Sequence, residues 1–459
     1  MKLNELKNKK IFLAPFTPLT NSFSFYLKTI GIDICGYLDK YKIGENVYSY
    51  NKLKELDFDY VIVYNEIFFW DIYKDIQQFV PKNKILRVKF QNDEYILLSK
   101  YEILFDRFEY LIFLLKLKIF SFFQKYFGKF LDFINYKRNL NLFISKDHIG
   151  SNILYLYNYL SDNKIMVSNS KNINKNVKFN SFKSYFYAAL AKNIIIDENI
   201  FEYISDKSTK QNIIQLWHGI PLKKLFPLKS VSIEYDYFIS TSSKLNEKIF
   251  KHIVKAKKFL NYGYPRNDIL IQKKEETDFC DKKIYELTKK KTTIVYMPTY
   301  RDLLQDNIPP INFEKLDDFC KKKDILFLVK FHPFINNVIN LDKYKNIILY
   351  DSKLDIYPIL RNTDLLITDY SSVMYDFLFL DKPIILFMYD RKKYAKERGF
   401  FDFTNNLPGE VVVNEKELLL KIKELLNGYD NFKDKRKKIR NKFFDFIDDK
   451  SRERISKIL

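Results

Sequence analysis

Two histidines each lie shortly after a run of apolar residues that is typical of a buried strand. His218 follows Ile213–Trp217 and precedes Gly219, and His332 comes after Ile325–Lys330. An imidazole can act as a general base near neutral pH, and a neighbouring glycine lets a ligand come close. Because ligands of open α/β sheets bind at the carboxyl ends of strands, the two histidines suggest one shared cleft. A lone histidine is more often structural, so neither position decides the question by itself.

Hydroxyl groups near another strand end could bind an anion. The pattern predicts a strand that ends at Thr368 and a helix that begins near Ser372, and the free amides and dipole of a helix start favour anions. The hydroxyls of Ser371 and Ser372 add donors, which predicts a phosphate site built without glycine. The alternative is that Asp369 and Ser371 only cap the helix.

Several cations accompany these positions. Lys223 and Lys224 follow the first histidine and could hold an anionic acceptor. Arg301 lies just past the strand-like run Thr293–Met297, and Arg398 lies in a loop after another such run. Arginine suits bidentate binding of phosphate, although each of these side chains could instead form a surface ion pair. Their combination with the histidines and serines at strand ends is what indicates a site that handles anions.

Strand-like runs alternate with helical patterns along most of the chain, which predicts α/β domains with parallel sheets. Five segments are expected: a small Rossmann-like α/β domain at 1–99, an amphipathic helical segment at 100–138, two larger α/β domains at 139–272 and 273–430, and C-terminal helices at 431–459. The sites above then belong to the two larger domains.

The stretch Tyr110–Ile134 is very apolar but is interrupted by lysines. On a helix, one face would carry Lys118, Ser121, Lys125, Lys129 and Asp132. The opposite face would carry Phe120, Phe123, Phe127, Phe130 and Ile134. A basic face and a phenylalanine-rich face suit an anionic membrane, so residues 110–134 are expected to contact the inner leaflet. The alternative is a core helix that packs between domains.

The glycine content, net charge and cysteine content of the chain limit which classes of protein it can belong to. The 459 residues include only ten glycines, and neither G-x-G-x-x-G nor the P-loop pattern occurs, which argues against glycine-rich nucleotide folds. The net charge of +21 makes an anionic membrane, an anionic substrate or a nucleic acid a candidate partner, although a coding bias toward lysine would produce the same charge. Three cysteines, no signal-peptide pattern and no apolar run of transmembrane length favour a reducing cytoplasm.

Six short motifs occur along the chain: W-H-G-I-P-L-K at 217–223, G-Y-P-R-N-D at 263–268, P-T-Y-R-D at 298–302, K-F-H-P at 330–333, I-T-D-Y-S-S at 367–372 and R-G-F at 398–400. This ordered set resembles the CDP-glycerol glycerophosphotransferases, which build teichoic-acid-type polymers. The resemblance runs from about Asn139 to Leu459. Each motif alone is weak, whereas the ordered set is specific.

The resemblance implies a GT-B fold, in which two Rossmann-like domains face each other across a cleft. Residues 139–272 would form the acceptor domain and 273–430 the CDP-donor domain. An acceptor hydroxyl would attack the β-phosphorus of CDP-glycerol in line and release CMP. No metal or other cofactor is expected, because cationic side chains and helix-start amides could neutralise the phosphates.

The same motifs imply roles for single residues. His218 resembles the base that takes the acceptor proton, and His332 resembles a histidine that stabilises the reacting phosphate. Donor and phosphate binding are implied for Thr299, Arg301, Asp369, Ser371, Ser372 and Arg398. Positions on the acceptor side are Gly219, Lys223 and Lys224.

The expected acceptor is an anionic or lipid-linked polymer, as in the synthesis of teichoic-acid-like or capsular polymers. The expected location is cytoplasmic, peripheral at the inner face of the cell membrane, and a homo-oligomer is left open. Three alternatives stay open: a transferase of the same fold that uses CDP-ribitol or a nucleotide sugar, a nucleic-acid-binding protein, and an inactive scaffold. No nucleic-acid partner is expected, because no recognised nucleic-acid motif is present and the paired histidines would be unexplained.

Overall fold

The computed structural model describes the chain except for residues 1–2, 43, 45, 66–67, 92–93, 99, 147–148, 171–175, 199, 201–202, 204–206, 223–233, 300, 302–307, 332–339 and 399–406. Two compact units divide the chain: 1–116 with 300–309 and 334–339, and 117–299 with 310–333 and 340–459. This division falls inside the segment 100–138, and the domain boundaries given above stay predictions.

The first unit contains a six-stranded sheet with the order β3-β2-β1-β4-β5-β6. Its strands are β1 (Ile11–Ala14), β2 (Gly36–Leu38), β3 (Val47–Tyr48), β4 (Tyr60–Val63), β5 (Ile85–Gln91) and β6 (Glu94–Leu98). All pairs are parallel except β5 with β6. The helices are α1 (Pro18–Thr29) and α2 (Phe69–Ile76), and the side chain of Thr17 caps α1. This is the Rossmann-like strand order, as the alternating pattern predicts.

The second unit begins within the long helix α3 (Lys100–Phe133) and then forms a parallel sheet with the order β12-β11-β10-β9-β7-β8. Its strands are β7 (Leu140–Ile144), β8 (Lys164–Val167), β9 (Ala191–Ile196), β10 (Asn212–Gln215), β11 (Tyr235–Ile239) and β12 (Ala256–Leu260). The helices here are α4 (Ser151–Tyr159), α5 (Phe182–Leu190) and α6 (Pro265–Ile271). A helical segment at Ser243–Ile253 contains a π-helical turn at Asn246–Phe250.

A second parallel sheet of this unit has the order β15-β14-β13-β16-β17-β18. Its strands are β13 (Thr292–Met297), β14 (Ile325–Val329), β15 (Ile347–Leu349), β16 (Leu365–Thr368), β17 (Ile384–Phe387) and β18 (Glu410–Val412). Its helices are α7 (Lys282–Thr288), α8 (Phe313–Lys323), α9 (Tyr357–Asn362), α10 (Val373–Asp376), α11 (Arg391–Arg398) and α12 (Glu415–Leu426). The pair of Rossmann-like sheets in one unit agrees with the predicted fold class.

The C-terminal helices α13 (Lys433–Phe443) and α14 (Ser451–Ser456) pack on the second unit. Asp268 of α6 accepts hydrogen bonds from the backbone amides of Ser451 and Arg452, at 3.0 and 2.9 Å, and so caps α14. The Arg452 guanidinium pairs with the same carboxylate at 3.1 Å. These contacts join the C-terminal helices to α6.

Helix α3 has three faces rather than the two predicted: a face packed on α5, an exposed apolar stripe and the lysine face. Phe120, Phe123 and Phe127 pack on the α5 residues Phe182 and Phe186, with ring centroids 4.8–5.7 Å apart. These three are half-buried and pack against the protein rather than facing solvent. A separate apolar stripe faces solvent and consists of Ile119, Phe122, Tyr126, Phe130 and Phe133, which are 52–84% exposed. Within the described residues, no helix combines the length and apolar character needed to cross a membrane.

Candidate functional site

The backbone around His218 turns sharply after β10. Trp217 has φ +58° and Gly219 has φ +140°, conformations that are rare for residues with a side chain. The amide of Trp217 donates to the Gln215 side chain at 2.9 Å, and its ring stacks on the imidazole with centroids 4.5 Å apart. The turn thus ends β10 at Gln215 and places His218 at the carboxyl end of this strand.

The imidazole of His218 is held in one tautomer. Its Nδ1–H donates to the backbone carbonyl of Asp197, at the end of β9, over 3.3 Å, which leaves the Nε2 lone pair free. Desolvation by the surrounding protein lowers the pKa of His218, and the positive charge of Arg266 lowers it further, whereas the hydrogen bond to Asp197 raises it. The ring still reaches solvent. His218 is therefore neutral at neutral pH and can accept a proton.

Gly219 brings the two sheets of the second unit into contact. A Cβ atom on Gly219 would lie 2.7 Å from Ser372 Oγ and 3.0 Å from Arg266 Nη2. Ser371 and Ser372 are half-buried and directly precede α10, so the predicted helix start near Ser372 is confirmed. The structure therefore brings Gly219, the residue after His218, against Ser372, although the two come from different sheets.

Arg266 is a member of this site to which the sequence analysis gave no role. Its Nη1 donates to the His218 carbonyl at 3.0 Å, and its Nη2 donates to Asp376 Oδ2 at 2.7 Å. The Asn152 amide donates to the Trp217 carbonyl at 2.8 Å. Two consecutive carbonyls next to the imidazole are thus fixed. Arg266 could have been selected from the sequence because it is the arginine of the G-Y-P-R-N-D motif. Asn152 and Asp376 lie in none of the six motifs, so the sequence did not single them out.

Asp369 and Thr299 lie at the ends of β16 and β13, which pair directly. The Asp369 carboxylate is buried and accepts hydrogen bonds from the backbone amides of Thr299, at 2.8 Å, and Tyr370. Asp369 thereby ties the two strand ends together at the point where the strand order of this sheet reverses, where open α/β sheets bind ligands. Donor contacts by Thr299 and Asp369 stay predictions.

Asp197 is a buried acid that the sequence analysis did not select. Its carboxylate lies so close to Gly150, at the start of α4, that a Cβ there would clash with Oδ2. Burial raises the pKa of Asp197 to about 8, with a further rise from Glu198 and an opposing effect of Arg266. Its Oδ1 has no hydrogen-bond partner among the described residues. The carboxyl is thus largely protonated at neutral pH.

Lys330, in the K-F-H-P motif, shapes a loop. Its Nζ donates to the carbonyls of Asp351, Ser352 and Leu354 at 2.8–3.2 Å, and desolvation lowers its pKa to about 8. A cavity of about 180 Å³ lies between this loop and the start of α4. Lys330 therefore supports the cavity wall.

The remaining predicted site residues are His332, Lys223, Lys224, Arg398 and Arg301. His332, Lys223 and Lys224 lie outside the described residues, and Arg398 ends α11 with a side chain that is also outside the description. Arg301 is buried, at 4% exposed, and groups with the first unit. Among the described residues, no group of His, Cys, Asp and Glu side chains is placed to hold a metal ion.

The family model described as CDP-Glycerol:Poly(glycerophosphate) glycerophosphotransferase matches residues 127–459. The chain belongs to this family. The family prediction is thereby confirmed, and with it the prediction of a transferase. The match contains every residue of the site described above.

Two curated relatives of this chain are teichoic acid enzymes. The chain is 30% identical to the teichoic acid poly(glycerol phosphate) polymerase of Staphylococcus epidermidis over 60% of its own length and 42% of the relative. It is 31% identical to the teichoic acid glycerol-phosphate transferase of Staphylococcus aureus over 54% of its own length and 71% of the relative. The chain thus spans less than half of the first relative.

A solved structure supports the fold of this chain. The wall teichoic acid polymerase TagF, in a histidine variant, matches with a TM-score of 0.60 and 24% identity, over 73% of this chain and 92% of that chain. At this identity the likeness concerns the fold alone. It confirms the predicted GT-B-type architecture.

Proposed function

We propose that this protein transfers glycerol phosphate from CDP-glycerol to a hydroxyl of a membrane-associated polyol-phosphate or glycan acceptor and releases CMP. The observation that carries the proposal is a neutral His218, with Nε2 free, whose neighbour Gly219 lies against Ser372. The acceptor O–H gives its proton to Nε2 while its oxygen bonds to the β-phosphorus. The bond from that phosphorus to the CMP oxygen breaks, and CMP leaves with the electron pair.

Phosphoryl transfer depends on positioning and on neutralising charge more than on covalent chemistry. The serine hydroxyls and the amides at the start of α10 would donate to the transferred phosphate, and His332, Thr299 and Arg398 would complete the donor pocket. On the opposite side, Lys223 and Lys224 would attract an anionic polymer. These contacts are part of the proposal.

We further propose that the reaction takes place at the cytoplasmic face of the membrane, where a lipid-linked acceptor would be anchored. The exposed stripe on α3 supports this proposal, because Phe122, Phe130 and their neighbours would otherwise lie in water. Lys118, Lys125 and Lys129 are exposed alongside the stripe. An apolar stripe beside lysines matches the surface of an anionic bilayer.

Release of CMP tests the reaction. Purified protein is incubated with an acceptor and either CDP-glycerol, CDP-ribitol or a nucleotide sugar, and CMP or the other leaving nucleotide is quantified. We expect CMP from CDP-glycerol, and loss of at least about 100-fold in His218→Ala, the usual scale for a general base. His252→Ala is the matched control, because this exposed histidine lies outside the site. Turnover only with another donor, or none at all, would refute the proposed donor.

Flotation with vesicles tests membrane contact. The wild type should float with vesicles that contain anionic lipid, and Phe122→Ser/Phe130→Ser should not. Leu420→Ser/Tyr429→Ser removes two apolar side chains of similar exposure elsewhere and should bind as the wild type does. Equal flotation of both double variants would show that the stripe is not the contact.

A further inference from the structure

One buried guanidinium touches both halves of the second unit. Arg266 comes from α6, beside the sheet that carries His218, and its partner Asp376 lies in α10, directly after the serine pair. The same guanidinium donates to the His218 carbonyl at 3.0 Å. Tyr357 donates to Asp376 at 2.7 Å from the side of the second sheet. Hydrogen bonds therefore connect the His218 carbonyl through Arg266 to Asp376 of α10 without a break.

We propose that Arg266 is the positioning residue that fixes His218 relative to Ser371 and Ser372. The inference rests on the proposed transfer reaction and adds to it a residue that acts through His218. Arg266 holds the peptide plane of His218 by one nitrogen and, through Asp376, the last residue of α10 by the other. A displacement of about 1 Å between reacting groups can cost about 100-fold in rate, so such a link would govern turnover.

The contacts favour positioning over a role in stability alone. A buried ion pair adds little net stability, because desolvation offsets the attraction. The Nε of Arg266 has no hydrogen-bond partner among the described residues, so the pair is not optimised for stability. Its other two nitrogens donate to the His218 carbonyl and to Asp376. Asn152 reinforces this arrangement, because it accepts from the Arg266 amide and donates to the Trp217 carbonyl.

The test removes both charges together, so that no buried charge is left alone. In Arg266→Gln/Asp376→Asn we expect kcat to fall about 100-fold while KM for CDP-glycerol stays within about threefold. The matched control is Arg436→Gln/Asp430→Asn, since Arg436 is also fully buried and pairs with Asp430 at 2.9 Å in the C-terminal segment. The control should keep the wild-type kcat. Rates are measured well below the unfolding temperature of each variant.

Crystal structures of both double variants provide a readout that does not depend on activity. We expect the His218 ring to move relative to Ser372 in the first variant and to stay in place in the control. An unmoved ring, an unchanged kcat, or a rise in KM at constant kcat would overturn the inference. If the wild type releases no CMP from CDP-glycerol, the proposed function fails, and the crystal structures still decide whether Arg266 positions His218.

Discussion

At the scale of single residues, the site depends on the missing side chain of Gly219 as well as on the His218 imidazole. Gly219 has no side chain at the point where the turn after β10 meets Ser372 of the other half. The motif could be read from the sequence, and His218 was selected correctly as a strand-end residue. The reason for the glycine could not be read, because it lies in a contact between residues more than 150 positions apart.

Gly219→Ala tests this contact. The new methyl group would collide with Ser372 Oγ, and φ +140° is unfavourable for alanine. We expect CMP release to fall at least about tenfold and the unfolding free energy to drop by about 1–3 kcal/mol. Gly428→Ala is the control with a left-handed glycine in open space, and it should lose stability but keep its turnover. Equal turnover in both variants would contradict the interpretation.

Asp197 gives a prediction about pH and stability. Its folded pKa of about 8 lies far above the usual aspartate value of about 3.9. Between these values the folded state binds more protons than the unfolded state, so stability falls as the pH rises toward about 8 and levels off above it. Asp197→Asn should lack this decline while keeping the carbonyl that holds His218. Urea unfolding from pH 5 to 9 measures it, and parallel curves for both proteins would refute the assignment.

At the scale of elements, the central strands followed from their apolar runs, and the edge strand β15 was predicted as Asn346–Leu349, whereas the other five edge strands of the described sheets were missed. β3, β6, β8, β12 and β18 all lie at sheet edges, and none was predicted. β12 shows the reason. An edge strand is not covered on both sides, so it tolerates charged residues, and two lysines interrupt the apolar pattern of Ala256–Leu260. Helix α3 was predicted as amphipathic, yet periodicity could not say which of its apolar residues would meet α5.

The division of the α3 phenylalanines can be tested by stability. Phe123→Ala should cost about 2–4 kcal/mol, because the ring packs on Phe127 and on Phe182 of α5. Phe122→Ala, one residue earlier and 62% exposed, should cost less than about 1 kcal/mol. Denaturant unfolding of the two variants measures the difference. Similar losses would mean that the two faces are assigned wrongly.

At the scale of the whole molecule, the α/β class, the paired sheets and the motif positions could be predicted, but the links between the sheets could not. Asp355 shows the difference. It accepts hydrogen bonds from Ser151 and Tyr155 of α4, about 200 positions earlier in the chain. Neither partner stands in a motif, so only the folded chain reveals the connection.

Asp355→Ala should loosen the connection between the two sheets. A buried hydrogen bond to a charged group contributes about 1.5–3 kcal/mol, so we expect a loss of that order or more in unfolding free energy. Asp278→Ala is the nearby control, since this exposed carboxylate makes only a surface pair with Lys282. Denaturant unfolding measures both variants. Equal stability would show that Asp355 does not join the sheets.

The exposed stripe of α3 also has a consequence for the colloidal behaviour of the protein. A net charge of +21 keeps molecules apart at low ionic strength and masks the attraction between their apolar stripes. At about 1 M salt the screening length shrinks to about 3 Å, so the repulsion vanishes while the apolar attraction remains. High salt should therefore release the protein from anionic lipid and, in the same solution, drive it to self-associate.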